Sequence, residues 1–322
     1  MTYNKKFTIL AGISAALALV YILTIIFDPE RVGSRSAAYS WLEPGQSDKI
    51  SGITIVKPDE TINLVRNGGK WFVSHNGKDY PARDIRIEDF IAALSKRAPY
   101  PVRSSSASSH ERLSLTDEQA VRVTVAAGAG IPLLNLLIGQ ADLTGQSIYL
   151  RKQGQNEVRS GADVFTSYTR AALNSWYNLR LFPETENGRL TAANVQRLTV
   201  YQPPSSDGPG APPQIFTRSG KQWTFNFEIA NPDMGMVDNY IRDILNTSGD
   251  DFVDYLTPSD PLFNNSRIVL ELGDGAIRTI RFGPPDENGE FMAAVSGSDW
   301  VYTISSWASP RLFVEPDYFE SD

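Results

Sequence analysis

Arg66-Asn67-Gly68-Gly69-Lys70-Trp71-Phe72 is the stretch on which the reading of the fold turns. Two β-rich runs, residues 62–66 and 70–74, flank an Asn67-Gly68 pair that supplies the positive φ of a tight hairpin. The signature returns as Arg218-Ser219-Gly220-Lys221-Gln222-Trp223-Thr224, an offset of 152. Upstream, Ile53-Thr54-Ile55-Val56 matches Leu198-Thr199-Val200-Tyr201. Downstream, Asp89-Phe90-Ile91-Ala92-Ala93-Leu94 matches Asn239-Tyr240-Ile241-Arg242-Asp243-Ile244, and Val121-Arg122-Val123-Thr124-Val125 matches Ile268-Val269-Leu270-Glu271-Leu272. Leu137-Ile138-Gly139 then matches Arg281-Phe282-Gly283, and Asn156-Glu157-Val158 matches Asp299-Trp300-Val301. Each match is weak alone, but six in one order point to a module used twice.

The module reads as a first strand (53–56), the hairpin, an amphipathic helix and further strands (121–125, 133–138, 147–151 and 157–160). Trp71 and Trp223 are expected as large anchors on the core face. Ile87, Phe90, Ile91 and Leu94 fall at helical spacing, as do Val237, Tyr240, Ile241, Ile244 and Leu245. Gly139 and Gly283 are read as opening turns. Residues 164–177 are predicted as a connecting helix, with Phe165, Tyr168, Ala172, Leu173 and Trp176 on one side. Residues 104–109 (SSSASS) read as flexible, residues 203–213 (PPSSDGPGAPP) as an extended loop, and the acidic tail 315–322 as a cap or a free end.

Composition narrows the function. The 322 residues are 41% hydrophobic and 21% charged, an ordinary globular balance with length for two domains. The absence of cysteine excludes disulfides, thiol catalysis, zinc-thiolate sites and an acylated lipoprotein. A net charge of -7 argues against non-specific nucleic-acid binding. Residues 7–27 (FTILAGISAALALVYILTIIF) carry no charge, and as a helix they span about 30 Å, the thickness of a bilayer core. The run is longer than a signal-peptide core, and Lys5 and Lys6 before it predict a cytoplasmic N-terminus. The expected protein is a single-pass protein of the bacterial inner membrane with its bulk in the periplasm. Its expected segments are a cytoplasmic tip (1–6), a transmembrane anchor (7–27), a stalk (28–48), a first module (49–163), a connecting helix and linker (164–192) and a second module (193–322). The expected fold class is α+β, with the N-terminal transmembrane helix followed by two duplicated, mainly antiparallel sheet-plus-helix modules. Residues 28–322 hold 28 basic and 37 acidic residues, net -9, so the outer part is expected to stand off anionic lipid on its stalk.

Catalytic signatures are sparse. His75 and His110 have no partner at metal-ligand spacing and read as surface loop residues. Neither G-x-S-x-G, S-x-x-K, a P-loop nor a dinucleotide fingerprint occurs. Asp286-Glu287-Asn288-Gly289-Glu290 resembles part of a calcium loop but reads better as a solvated turn, as does Gln140-Ala141-Asp142-Leu143-Thr144-Gly145. Asp250, Asp251 and Asp254 read as a charged loop. No catalytic residue, cofactor or metal is expected.

The succession of anchor, strand, G-x-W hairpin and Tyr80-Pro81-Ala82 before a helix continues with Ile138-Gly139 and Tyr149-Leu150-Arg151. It resembles the domain-of-unknown-function 4340 family of bacterial envelope proteins over about residues 50–310. The resemblance implies a partner or auxiliary subunit of an ABC-type exporter of the gliding-motility kind, with permease and ATPase subunits as partners. It supplies no catalytic residues. The expected function is therefore a non-enzymatic, membrane-anchored accessory protein of an envelope complex. Gly12, Ser14, Ala15, Ala16 and Ala18 offer a small-residue face for permease helices. The alternative is a glycan- or peptide-binding module, using Trp176, Tyr177, Trp300, Tyr302 and Trp307 as a stacking surface.

Overall fold

Alternating apolar residues give most strands of the chain one buried face, and the structure assembles them into two large antiparallel sheets and one small two-stranded sheet. The structure is a computed structural model and describes residues 17, 38–43, 45–184, 188–204, 211–220, 222–264 and 266–321. The chain divides into two compact units, one ending at Trp176 and one beginning at Tyr177. The architecture is α+β, mainly antiparallel sheet with few helices. Of the apolar run 7–27 only Leu17 falls among the described residues. Among those residues, no helix is long and apolar enough to cross a membrane.

The first unit opens with β1 (Ala38–Tyr39), followed by β2 (Ile50–Val56), β3 (Thr61–Asn67), β4 (Lys70–His75) and β5 (Lys78–Pro81). Helix α1 (Asp84–Ser95) leads to β6 (Ala98–Pro99) and β7 (Val102–Ser104). Then come β8 (Val121–Ala127), β9 (Pro132–Ala141), β10 (Ser147–Lys152), β11 (Val158–Ala162) and the short α2 (Thr166–Thr169). Nine strands form one sheet in the order β5-β4-β3-β2-β8-β9-β10-β11-β7, while β1 pairs separately with β6. Ile53 and Ile55 of β2, Ile62 and Leu64 of β3, and Val123 and Val125 of β8 are buried on alternate positions, which fixes the face of each strand. Helix α1 buries Ile87, Phe90, Ile91 and Leu94, the four residues expected. Burial of four such side chains contributes about 1.5–3 kcal/mol each, enough to hold a helix with no side-chain N-cap.

The second unit contains β12 (Val195–Tyr201), β13 (Gln214–Ser219) and β14 (Gln222–Phe225), then α3 (Met234–Asn246) and β15 (Asp251–Phe252). β16 (Ser266–Leu272), β17 (Ile277–Phe282), β18 (Phe291–Val295), β19 (Val301–Ile304) and α4 (Ser309–Leu312) complete it. Its sheet runs β14-β13-β12-β16-β17-β18-β19-β15. Position by position, that order matches β4-β3-β2-β8-β9-β10-β11-β7 of the first sheet, which adds β5 at its edge. Helix α3 buries Val237, Tyr240, Ile241, Ile244 and Leu245, and Asp233 caps it by accepting from the Gly235 and Met236 amides. Trp71 and Trp223 are both buried, as the hairpin reading requires.

Several expectations are corrected. Asn67 pairs with Lys70, so the two turn residues are Gly68 and Gly69, both at positive φ, rather than Asn67 and Gly68. Glycine takes positive φ at the least cost, and pairing of Asn67 with Lys70 sets the turn on Gly68 and Gly69. Gly139 lies inside β9 instead of opening a turn: a Cβ there would overlap the Leu113 carbonyl, so the missing side chain admits the 110–115 segment. Residues 164–177 form only the four-residue α2 and a 3-10 turn, Leu173–Trp176. Between them Lys57 Nζ takes the Ala171 carbonyl at 2.8 Å and Glu60 accepts the Leu173 amide, contacts that displace a continuous helix. Residues 104–109 are tied down, with Ser109 buried and its hydroxyl donating to the Ser106 carbonyl. His110 is buried, not a surface residue, and its Nε2 lies 3.1 Å from the Asn156 carbonyl. Residues 205–210 of the Pro/Gly loop lie outside the described residues.

Of the segment 28–48 expected as a stalk, residues 28–37 lie outside the described residues. From Ala38 onward the chain is built into the first unit, with β1 on β6 and the Trp41 and Leu42 amides both donating to the Leu94 carbonyl. Trp41 and Leu42 are buried. The tail takes the capping role: Phe319 is buried against Phe216 and Tyr240, and its carbonyl accepts the Asp233 amide.

Candidate functional site

The place where the N-terminal segment enters the first unit gathers three aromatic rings and two cationic side chains. Pairing of β1 with β6 sets Tyr39 opposite Ala98. Tyr39, Trp41 and Tyr100 then pack edge to face, with ring centroids 5.1 Å (Tyr39–Trp41) and 5.3 Å (Trp41–Tyr100) apart. Tyr100 lies over Gly161, where a Cβ would overlap its ring, so the glycine makes room for the cluster. The Arg159 guanidinium sits 4.2 Å from the Tyr39 ring centroid and the Lys152 ammonium 5.4 Å, a cation–π pair on one ring. Arg159 also donates to the Tyr100 carbonyl at 2.8 Å and pairs with Glu157 at 2.6 Å. Burial pushes the Tyr100 phenol above its ordinary range. Val102, directly across from Arg159, is exposed. The sequence carries a signal for this cluster in Tyr39, Trp41 and Leu42, three large apolar residues inside a supposed stalk.

The sequence-derived candidates fare differently. Gly12, Ser14, Ala15, Ala16 and Ala18 lie outside the described residues. Trp176 is fully buried under Arg86, which stands 4.8 Å from its ring centroid, and stacks near Phe90 and Tyr168. Tyr177 and Tyr302 are buried, and both rings contact Phe252. Burial pushes the Tyr302 phenol up. Trp300 is half-buried beside Phe252. Trp307 alone of the five is exposed, with Arg311 5.2 Å from its ring centroid. The five therefore divide into three core residues, one partly covered and one surface residue.

Asp286 accepts the Asn288 and Glu290 amides, an Asx-type turn closed by Gly289 at positive φ. In the first unit Asp142 accepts from the Thr144 hydroxyl and the Thr144 and Ser147 amides. These bonds, the Thr144 hydroxyl first, hold its carboxyl below the ordinary range.

The residues of the G-x-W, Tyr-Pro-Ala, Ile-Gly and Tyr-Leu-Arg motifs have structural places. Trp71 and Tyr80 are buried, and the Ala82 amide donates to the Trp71 carbonyl. Gly139 seats the Leu113 segment. Arg151 is buried and donates to the Leu115 carbonyl at 2.8 Å and to the Gln155 carbonyl at 3.2 Å, holding the same segment over the sheet. The family model described as Domain of unknown function (DUF4340) matches residues 71–261, more than half of the 322. The chain belongs to the DUF4340 family. The DUF4340 match begins at the buried Trp71 of β4 and runs through the first unit to Pro261 of the second. No curated protein and no solved structure matches the chain.

Proposed function

We propose that this DUF4340 protein is a non-enzymatic, membrane-anchored accessory subunit of a bacterial envelope complex, an ABC-type exporter of the gliding-motility kind. In this reading residues 7–27 form the anchor, the two units are extracytoplasmic copies of one module, and their role is docking. The observation that carries it is that Trp71, Tyr80, Gly139 and Arg151 are engaged in core packing and in main-chain hydrogen bonds. Motif residues of an enzyme family would be expected to converge on a cleft. Residues that hold a sheet together suit a scaffold, whose working part is its surface. The duplication is supported by the matching strand orders and by the equivalent helices α1 and α3. A transporter as the partner rests on the family resemblance.

The test is purification of the full-length tagged protein in mild detergent, with mass spectrometry of what stays bound. Recovery of a permease and an ATPase in fixed ratio is the expected result. Recovery of the protein alone, with export unaffected by its deletion, contradicts it. The glycan-binding alternative keeps Trp307 as its one exposed aromatic of the five, and a soluble-glycan titration of tryptophan fluorescence tests it.

A further inference from the structure

We propose that the corner of the first unit built by β1, β6 and β7 is a membrane-facing surface that takes the anionic phospholipid headgroups of the bilayer holding the anchor. This rests on residues 7–27 being that anchor. Phe27 and Ala38 are separated by eleven residue steps, so the chain between them reaches at most about 40 Å even when fully extended. Ala38 is already paired to Pro99. The corner is where the tether joins the first unit, so it stays within about 40 Å of the bilayer, at an effective concentration in the millimolar range. Weak contacts suffice there.

The corner has the composition such a contact needs. Val102 is 45% exposed on the edge strand, beside Pro99 and the exposed Arg103. Lys152 and Arg159 stand over Tyr39, which is half-buried. Glu157 offsets Arg159, leaving Lys152 as the uncompensated charge beside Tyr39, while the exposed Arg103 donates to the Ser160 hydroxyl at 2.7 Å on the other face of the strand. Charge over the whole unit agrees. Residues 38–176 hold 16 Lys and Arg against 14 Asp and Glu, net +2, whereas residues 177–322 hold 10 against 21, net -11. The acidity of the chain that argued for standing off the membrane thus belongs to the second unit. Of the corner's three rings only the half-buried Tyr39 reaches the surface, beside Lys152 and Arg159, while Trp41 and Tyr100 are its buried support.

The cysteine-free chain allows a direct test. Full-length protein carrying V102C or L143C is labelled with an environment-sensitive fluorophore and reconstituted into phosphatidylcholine vesicles with or without phosphatidylglycerol. Quenching by a lipid-bound nickel chelate is then read. Leu143 is fully exposed in the β9–β10 loop, at the far end of β10 from Lys152 and so roughly 17 Å along that strand. The expected result is at least twofold stronger quenching at position 102 than at 143 in phosphatidylglycerol vesicles, reduced by salt and by K152E with R103E. Equal quenching at both positions, in protein that floats with the vesicles, overturns the proposal and leaves the anchor standing. Protein that does not float with the vesicles overturns the anchor and this inference with it.

Discussion

At the scale of single residues, Gly139 matters because it makes room. A methyl group at Gly139 would meet the Leu113 carbonyl and Leu115 side chain, and neither can move without lifting the 110–115 segment from the sheet. Gly139→Ala is expected to destabilise the first unit by about 1–3 kcal/mol in denaturant unfolding. Gly128→Ala, where nothing lies within 4 Å and φ is not positive, is expected to be neutral or slightly stabilising. Equal midpoints for the two variants would remove the packing account. Buried phenols predict the alkaline limit. Tyr100, Tyr240 and Tyr302 are all pushed up, chiefly by burial, and Tyr240 donates to the Leu312 carbonyl at 2.7 Å. A raised folded pKa means the unfolded chain loses its proton first. Stability is therefore whole below about pH 10, the ordinary phenol value, and is lost as pH rises from there toward the raised folded values. For the fully buried Tyr240 this amounts to up to about 1.4 kcal/mol per pH unit in that window. Tyrosinate absorbance and circular dichroism should change together on alkaline titration, whereas smooth ionisation without unfolding would contradict the burial of these rings.

At the scale of elements, hydrophobic period made the helices readable almost residue for residue. The four buried positions of α1 and the five of α3 follow from 3.6-residue spacing alone. Segment 164–177 has the same apparent spacing yet breaks, because Lys57 and Glu60, more than a hundred residues earlier, capture its main chain. No local pattern carries that information. The hairpin was legible, but its register was not: Asn-Gly and Gly-Gly compete for one turn, and pairing beyond the turn decides between them. The acidic, aromatic tail could be read as a cap or as a free end, and packing of Phe319 beside Phe216 and Tyr240 decides for the cap. Phe319→Ala is expected to cost about 3–5 kcal/mol in thermal or denaturant unfolding. Tyr318→Ala, at a 41% exposed neighbour, should cost well under half of that. A tail that merely lay on the surface would show no difference between them.

At the scale of the whole molecule, the strands could be read from the sequence but their neighbours could not. β2 lies between β3 and β8, and β12 between β13 and β16, pairings that alternation of apolar residues does not specify. The candidate surface was legible in part. Five aromatics were singled out, and three of them proved to be core, since large rings in a sheet protein are first of all packing material. The aromatic and cationic corner has no local signature, because Tyr39 and Trp41 stand some sixty residues from Tyr100 and more than a hundred from Lys152 and Arg159. The proposed function has the apolar segment 7–27 hold the two units outside the cytoplasm. The most direct measurement is labelling of L143C in spheroplasts with a membrane-impermeant maleimide, since position 143 is fully exposed and no native cysteine competes. Full labelling of membrane-bound protein without lysis is the predicted result, and labelling only after lysis would contradict the account.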